Sequence, residues 1–300
     1  MDMSYLRAHP QHLPTFLTHQ RIRQTPVGGG SISDAFRLTL DDGTSLFAKG
    51  RPDPMPETFF EVEAAGLRWL GAAGGVPVPE VLVALPDLLA LEWIEPGAPT
   101  ADAARRLGAE LAVTHLAGAP AFGALPGHAD GFIGALPQDD TPSPGPWGPW
   151  FADRRLRPHL RRSVDNGALD AAAHAAVARV LDRIEEYGGD EPPSRIHGDL
   201  WPGNVLWGAD GRAWLIDPAA HGGHRETDLA ALLLFGGVPE REHLISGYAE
   251  RAAALGRPLD AAWRTRVPLH QLHLLLVHTA LFGAAYRAPV RAAADAMLRL

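Results

Sequence analysis

Asp199 and Asn204 stand with four residues between them in Ile196-His197-Gly198-Asp199-Leu200-Trp201-Pro202-Gly203-Asn204, and Asp217 follows in Leu215-Ile216-Asp217-Pro218. A loop of that length lets a carboxylate face a hydroxyl while an amide carbonyl turns back toward a cation. A second carboxylate at the end of a following strand can share the same ion. Mg²⁺ suits such a pair, because it takes few protein oxygens beside water and phosphate oxygens. Asn204 is one of two asparagines in the chain, and Lys49 is the only lysine. A composition that has replaced lysine by arginine almost everywhere, yet keeps one, suggests a site needing a compact ammonium rather than a planar guanidinium fork. Two blander accounts compete with these readings. Asp and Asn beside Gly often do nothing more than satisfy backbone N–H groups in turns, and a single lysine can survive drift by chance.

Residues 35–50 supply the elements around that lysine. They alternate about the turn signal Asp41-Asp42-Gly43, which predicts a hairpin of Ala35–Leu40 and Thr44–Lys49. Apolar residues at helical spacing predict a helix over Glu57–Leu70, stopped by Gly71 and Gly74-Gly75. Two short apolar runs follow, Glu80–Leu85 and Leu88–Ile94, and Glu95-Pro96-Gly97 reads as a hinge. Beyond it the spacing predicts helices over Ala101–Leu116, Ala168–Tyr187, Glu226–Phe235, Glu240–Leu255, Asp260–Tyr286 and Val290–Leu300. The Gly- and Pro-dense stretch Gly118–Trp150 reads as loop. Short strands Val205–Trp207 and Ala213–Ile216 flank a turn that delivers Asp217. The expected organisation is a nucleotide-binding lobe over residues 1–95 and a catalytic and acceptor-binding lobe over residues 96–300.

Composition narrows the classes. At 46% hydrophobic residues, the 300-residue chain can bury a full core. A net charge of −8 argues against a nucleic-acid partner, which calls for a basic face, and is compatible with an amine-bearing substrate. The absence of cysteine excludes disulfides and thiol catalysis and fits a reducing cytoplasm. No apolar run has membrane-spanning length, and the first twenty residues carry no signal-like stretch, so no membrane association is expected.

The glycine-rich Gly28-Gly29-Gly30-Ser31-Ile32, the strand Lys49, the helical Glu63 and the His-x-Asp-x-x-x-x-Asn loop together resemble the nucleotide-binding and catalytic parts of the protein-kinase fold. The loop resembles more closely that of the aminoglycoside-phosphotransferase and choline-kinase superfamily. Within that superfamily the chain is similar to the fructosamine (ketosamine) kinase family. The segments that carry this likeness are Gly28–Ser33, Ile133-Gly134 with Pro137-Gln138, Trp150-Phe151, Arg155-Leu156, His197–Trp201, Ile216–Ala219, Asp228–Ala230, Leu234–Gly237, Gln271–Leu275 and Leu281–Gly283. The resemblance implies an α+β, bilobal protein-kinase-like fold: a small β-rich N-lobe with one helix and a larger, mainly helical C-lobe. It also implies ATP and Mg²⁺. Gly28, Gly29, Gly30, Ser31 and Ile32 would close over the nucleotide. Lys49 would hold its phosphates and be oriented by Glu63, with Glu61 on the surface. Glu92 and Ile94 would meet adenine through their backbones, with Leu91 guarding the back of the pocket. Asn204 and Asp217 would bind the metal, and Asp199 would act on the acceptor hydroxyl. Trp201, His273 and His278 would line the acceptor site.

The chain departs from the family pattern at Gly131, at Asp139-Asp140, at His221 and Gly222, and at Val277 and Ala280. All of these lie where the acceptor pocket is expected. Other conspicuous residues have structural readings: Asp228 as a buried anchor or cap, His197 as a loop orienter, and Trp147–Trp150 with Arg154, Arg155 and Arg157 as C-lobe packing. His270, His273 and His278 lie on one helix at a spacing that leaves no third metal ligand in place.

Three functions therefore compete. One is an ATP-dependent kinase of ketosamines, free or protein-bound. The second is a kinase of aminoglycosides or other amino alcohols. The third is an inactive nucleotide-binding protein. Retention of Lys49, Glu63, Asp199, Asn204 and Asp217 together argues against the third. The oligomeric state is not legible in the sequence.

Overall fold

A computed structural model describes residues 2–18, 22–28, 33–51 and 54–300. Two short helices, α1 (Met3–Ala8) and α2 (Leu13–Thr18), precede the strands β1 (Arg23–Pro26), β2 (Ala35–Thr39) and β3 (Ser45–Gly50). Helix α3 (Phe59–Gly71) and strands β4 (Val81–Leu85) and β5 (Leu88–Glu92) complete an antiparallel sheet of order β1-β2-β3-β5-β4. The hairpin forms where the sequence predicts it. Gly43, at φ +83°, makes the turn, and the Leu40 N–H donates to Thr44 O at 2.8 Å.

Alternation along the strands splits their side chains between two cores. Leu46, Ala48 and Ala90 face Leu6 and Leu13, whereas Leu89 and Leu91 face Phe59, Phe60, Ala64 and Leu67 of α3. Both faces of the sheet are thus covered. The expectation of one helix in this lobe is corrected: α1 and α2 shield the second face, which would otherwise expose Leu38, Leu46 and Val83.

The larger lobe is mainly helical. Helix α4 (Ala101–Leu116) is followed by the hairpin β6 (Asp130–Ile133) and β7 (Leu136–Asp139), then by α5 (Trp147–Phe151), a π-helical stretch at Ala152–Leu156, α6 (Arg157–Asp165) and α7 (Ala171–Asp182). Strands β8 (Ser194–Ile196), β9 (Val205–Trp207), β10 (Ala213–Leu215) and β11 (His221–Gly223) flank the loops that hold Asp199, Asn204 and Asp217. They lead into α8 (Arg225–Ala231), α9 (Arg241–Ala254), α10 (Trp263–Phe282) and α11 (Arg287–Met297). Helices α4 and α9 cross in backbone contact. A Cβ on Gly108 would overlap Leu244 O, and one on Gly247 would overlap Arg105 O.

Several expectations are revised here. The Gly118–Trp150 stretch contains the β6–β7 hairpin and α5. Four-residue strands around a Gly134-Ala135 turn are too short to show periodicity, although Gly134 does take the positive φ of +54° that the turn needs. The Ala168–Tyr187 helix starts later, at Ala171, where the Asp170 side chain accepts from the Ala173 N–H at 2.8 Å, and ends at Asp182. The Asp260–Tyr286 helix spans only Trp263–Phe282, with Gly283 at φ +84° closing it. Strands β8 and β11 carry no sequence signal, since β11 is His-Gly-Gly.

The hinge is fastened to the larger lobe through the turn between β9 and β10. Gly97 N–H donates to Trp207 O at 2.7 Å and Ala209 N–H to Glu95 O at 2.8 Å. A Cβ on Gly97 would press on the Gly208 carbonyl at 2.5 Å, so this contact needs glycine there.

Candidate active site

Register puts Lys49 opposite Ala35 on one side and Leu89 on the other, in the middle of the sheet. Its ammonium, on a residue only 7% exposed, lies 2.7 Å from Glu63 Oε1 and 2.9 Å from Asp217 Oδ1. Burial works against the ammonium, but the Asp217 and Glu63 carboxylates outweigh it and hold its pKa above the usual lysine range. The helical glutamate that meets Lys49 is Glu63, and Glu61 is exposed. Asp217 itself sits at φ +54°, one of three non-glycine residues in the left-handed region among the described residues. Such a conformation costs energy and is concentrated at functional sites.

Asp217 reaches this position because β9 and β10 pair with Val205 opposite Leu215, and the ladder continues through Ile216 N–H to Asn204 O at 3.1 Å. Asn204 and Asp217 therefore flank one end of the same hairpin. The Asn204 amide nitrogen donates to Asp199 O at 2.7 Å and to Asp199 Oδ2 at 3.2 Å. With its NH₂ held by two oxygen acceptors, the amide must turn its own oxygen away from Asp199. Asp199 is partly buried, and its pKa is raised well above the carboxylate range by burial and by the charge of Asp217, against the pull of the Asn204 hydrogen bond.

Buried groups hold this loop in place. Asp228, fully buried at the start of α8, accepts from His197 N–H at 2.7 Å, from Gly198 N–H at 3.0 Å and from His115 Nε2 at 3.1 Å. Burial opposes its ionisation, but the His115 hydrogen bond and the charge of that ring prevail, so its pKa lies below the usual value. His197 donates through Nε2 to Ile216 O at 2.8 Å and accepts the Asp199 N–H at Nδ1, 3.3 Å away. These backbone partners fix a neutral tautomer, so His197 orients the loop. Gly198 takes φ +82°, and a Cβ there would overlap Ala219 O.

The other residues expected on the nucleotide side are placed as follows in the fold. Gly28 is exposed with open space beside it, whereas Gly29, Gly30, Ser31 and Ile32 fall outside the described residues. Glu92 ends β5, paired with Leu46, and Ile94 follows it at 9% exposure just before the hinge. Leu91 is buried against the α3 face of the sheet.

Of the residues expected to line an acceptor site, Trp201 and His278 come together with ring centroids 6.4 Å apart. The Trp201 ring lies over Gly203, where a Cβ would overlap it. His273 does not join them. It is 1% exposed, packed against Phe151 and His159 in the core. His273 and His278 are five residues apart on one helix, which turns their side chains about 140° from each other. Three residues to which the sequence assigned no role, Phe235, Phe282 and Tyr286, do surround His278, at 4.8, 5.6 and 5.1 Å.

Four of the departures from the family pattern, Gly131, Asp139, Asp140 and His221, meet around Arg155. Arg155, 1% exposed, donates to Asp140 Oδ1 and to Asp139 O, each at 2.8 Å, and stacks over Trp150. Its Nε also reaches His221 Nε2 at 3.3 Å, while His221 Nδ1 donates to Ala219 O at 2.8 Å. A Cβ on Gly131 would overlap the Asp140 carboxylate. The small residue at 131 and the acidic residue at 140 are thus one steric unit. Val277 is buried and Ala280 partly buried, both against the large C-lobe core. We expect Gly131→Asn to cost about 2 kcal/mol by overpacking, read as a lower denaturant midpoint. An unchanged midpoint would show that Asp140 yields without cost.

One buried grouping has metal-like composition. Ligand atoms of His224, Glu226 and His270 lie within 4.8 Å of one another. Arg266 already neutralises it, donating to Glu226 at 2.6 and 2.9 Å, while His224 Nδ1 accepts the Glu226 N–H and His270 Nδ1 bonds Thr227 Oγ1. The cation of this cluster is a guanidinium.

Comparison with known proteins agrees with this geometry. The chain is 32% identical over 271 residues to the probable ketoamine kinase of Enterococcus faecium, covering 88% of this chain and 91% of that one. A solved structure of a fructosamine-3-kinase candidate from Thermobifida fusca superposes with a TM-score of 0.85 at 48% identity, covering 93% of this chain and 94% of the other. Choline kinase from Cryptosporidium parvum, at 13% identity, TM-score 0.59 and coverage of 99% and 95%, shares the fold. The fold is protein-kinase-like and the chain is a phosphotransferase. The fructosamine kinase family model matches residues 8–299, and with the Lys49–Glu63–Asp217 cluster joined to the Asp199–Asn204 loop, this chain belongs to the fructosamine kinase family.

Proposed function

We propose that the protein transfers the γ-phosphoryl group of ATP to a sugar hydroxyl of a ketosamine, the 3-hydroxyl by family resemblance, in a cytoplasmic deglycation repair. The observation that carries this reading is the meeting of Lys49, Glu63 and Asp217 from one side with Asp199 and Asn204 from the other. The residues present fit Mg²⁺: the Asn204 amide oxygen is turned outward by its own hydrogen bonds, and the Asp217 side chain is 44% exposed. Both offer hard oxygen donors, as that ion requires. Bound there, the ion would neutralise charge on the phosphates.

The chain's own groups do the rest. Lys49, kept an ammonium, is placed to hold the nucleotide phosphates, with Glu63 fixing its direction. Asp199 orients the acceptor hydroxyl and takes its proton as the new P–O bond forms and the bond to the β-phosphate bridge breaks, releasing ADP. Phosphoryl transfer is largely dissociative, so alignment and charge neutralisation outweigh basicity. Trp201 and His278 would flank the sugar.

The test is ADP formation by the purified protein with a fructose- or ribulose-amine, beside an aminoglycoside panel and a no-acceptor control. Turnover with the ketosamine alone supports the proposal. Turnover confined to aminoglycosides would establish the amino-alcohol reading, and nucleotide binding without turnover would mark an inactive protein.

Asn204→Ala and Asp217→Ala are expected to raise the Mg²⁺ concentration needed for half-maximal rate about tenfold, with smaller effects on acceptor KM. An unchanged Mg²⁺ requirement in both variants would dismantle the shared metal site.

A further inference from the structure

Five rings meet beside the catalytic loop. Phe235 lies 4.8 Å from His278, 5.9 Å from Trp201 and 5.9 Å from Tyr286, and Phe282 lies 5.6 Å from His278 and 6.3 Å from Tyr286. Phe235 and Phe282 remain 45% and 46% exposed. A contiguous exposed aromatic surface is unusual for a folded chain and points to a ligand. Its position narrows the ligand, because Trp201 is two residues from Asp199.

The backbone shows that folding alone does not account for this surface. Phe235, Gly236 and Gly237 take φ values of +53°, +95° and +80° in succession. The turn is closed by Gly237 N–H to Leu234 O and Val238 N–H to Leu232 O, both at 2.8 Å. A bulky residue is disfavoured in that region, where glycine would be free of strain. The strained position nevertheless carries a ring that is nearly half exposed. Strain kept at a half-exposed side chain is characteristic of recognition sites.

We infer that Phe235 and Phe282, with Tyr286, form a rim that binds an apolar substituent, aromatic or long aliphatic, on the amine nitrogen of the ketosamine. The inference rests on the proposed ketosamine reading. In such an adduct the amine leaves the sugar only a short bond path from the hydroxyl that Asp199 addresses. A substituent on that nitrogen would therefore emerge past Trp201 and His278 onto the rim. Burial pushes the pKa of His278 down, and its Nδ1–H donates to Leu274 O at 2.8 Å, so the ring presents a neutral face to this path.

The experiment compares kcat/KM for ketosamines of one ketose with methylamine, hexylamine and phenethylamine. The wild type is expected to favour the phenethylamine adduct over the methylamine adduct about tenfold or more, within the range that apolar pocket contacts confer. Phe282→Ala and Phe235→Gly should each shrink that ratio at least threefold. Phe235→Gly should do so without lowering Tm, because glycine relieves the backbone at that position. A flat wild-type profile with good turnover would overturn the rim while leaving ketosamine kinase activity intact. A preference that survives both variants would overturn it too. So would light scattering that shows the wild type as a dimer dissociated by Phe282→Ala with selectivity unmoved, since the patch would then bind a second copy of the chain. Absence of turnover with every ketosamine would overturn the proposed function and the rim together.

Discussion

Asp199→Asn is expected to lower kcat about 10³-fold, roughly 4 kcal/mol of transition-state stabilisation, while nucleotide affinity changes little. The substitution keeps the size of the side chain and a hydrogen-bond acceptor for Asn204, which now lies 3.2 Å from Oδ2. What it removes is the ability to accept the hydroxyl proton. Burial and the neighbouring Asp217 raise the Asp199 pKa, which makes the carboxylate a better base than an exposed aspartate. In the proposed function the nucleotide is held by other groups, namely Lys49 from β3 and the Asn204–Asp217 pair. Calorimetric ATP binding beside steady-state kcat separates the two roles. Near-wild-type kcat at saturating acceptor would remove Asp199 from the chemistry, and loss of ATP binding would assign it to the nucleotide instead.

Lys49→Arg is expected to cost about 10²-fold or more in kcat/KM, about 2.7 kcal/mol, although the charge is retained. The ammonium fits between Glu63 at 2.7 Å and Asp217 at 2.9 Å on a residue 7% exposed. A guanidinium is wider, planar and demands in-plane partners. It can keep one carboxylate only by displacing the other, and either outcome misplaces the charge that faces the phosphates. The loss should be the same for every acceptor, because the proposed contact is to the nucleotide. A lysine that had merely survived drift would give the opposite result, as surface Lys→Arg changes are close to neutral. Kinetics on this variant, with folding checked by circular dichroism, decides between them.

The sequence by itself determined the features that short-range chemistry can encode. The spacing of Asp199 and Asn204, the turn at Asp41–Gly43 and the α3 periodicity are local patterns, with α3 beginning two residues later than the spacing predicts, whereas the choice of Glu63 over Glu61 comes from the family resemblance. Helix α4 agrees to the residue at both ends because Thr100 caps it, accepting from the Ala103 N–H at 3.1 Å. Other helix boundaries slipped by a few residues even at a capped end, as at α7, where Asp170 caps, and strands too short to alternate, β6, β7, β8 and β11, went unread.

Only the tertiary structure decided which distant groups share a charge or a space. Lys49 and Asp217 are 168 positions apart, yet one ammonium serves both Asp217 and Glu63. Asp140 fills the volume that a side chain at 131 would need, which no periodicity reports. His273 and His278 are equivalent as residue types on one helix, but helical rotation buries the first in the core and brings the second to the aromatic rim. That rim draws Trp201, Phe235, Phe282 and Tyr286 from separate segments. Pattern along the chain records what each segment buries or caps. Which segments meet is set by packing across the whole lobe, and the aromatic cluster beside Asp199 consists almost wholly of such meetings.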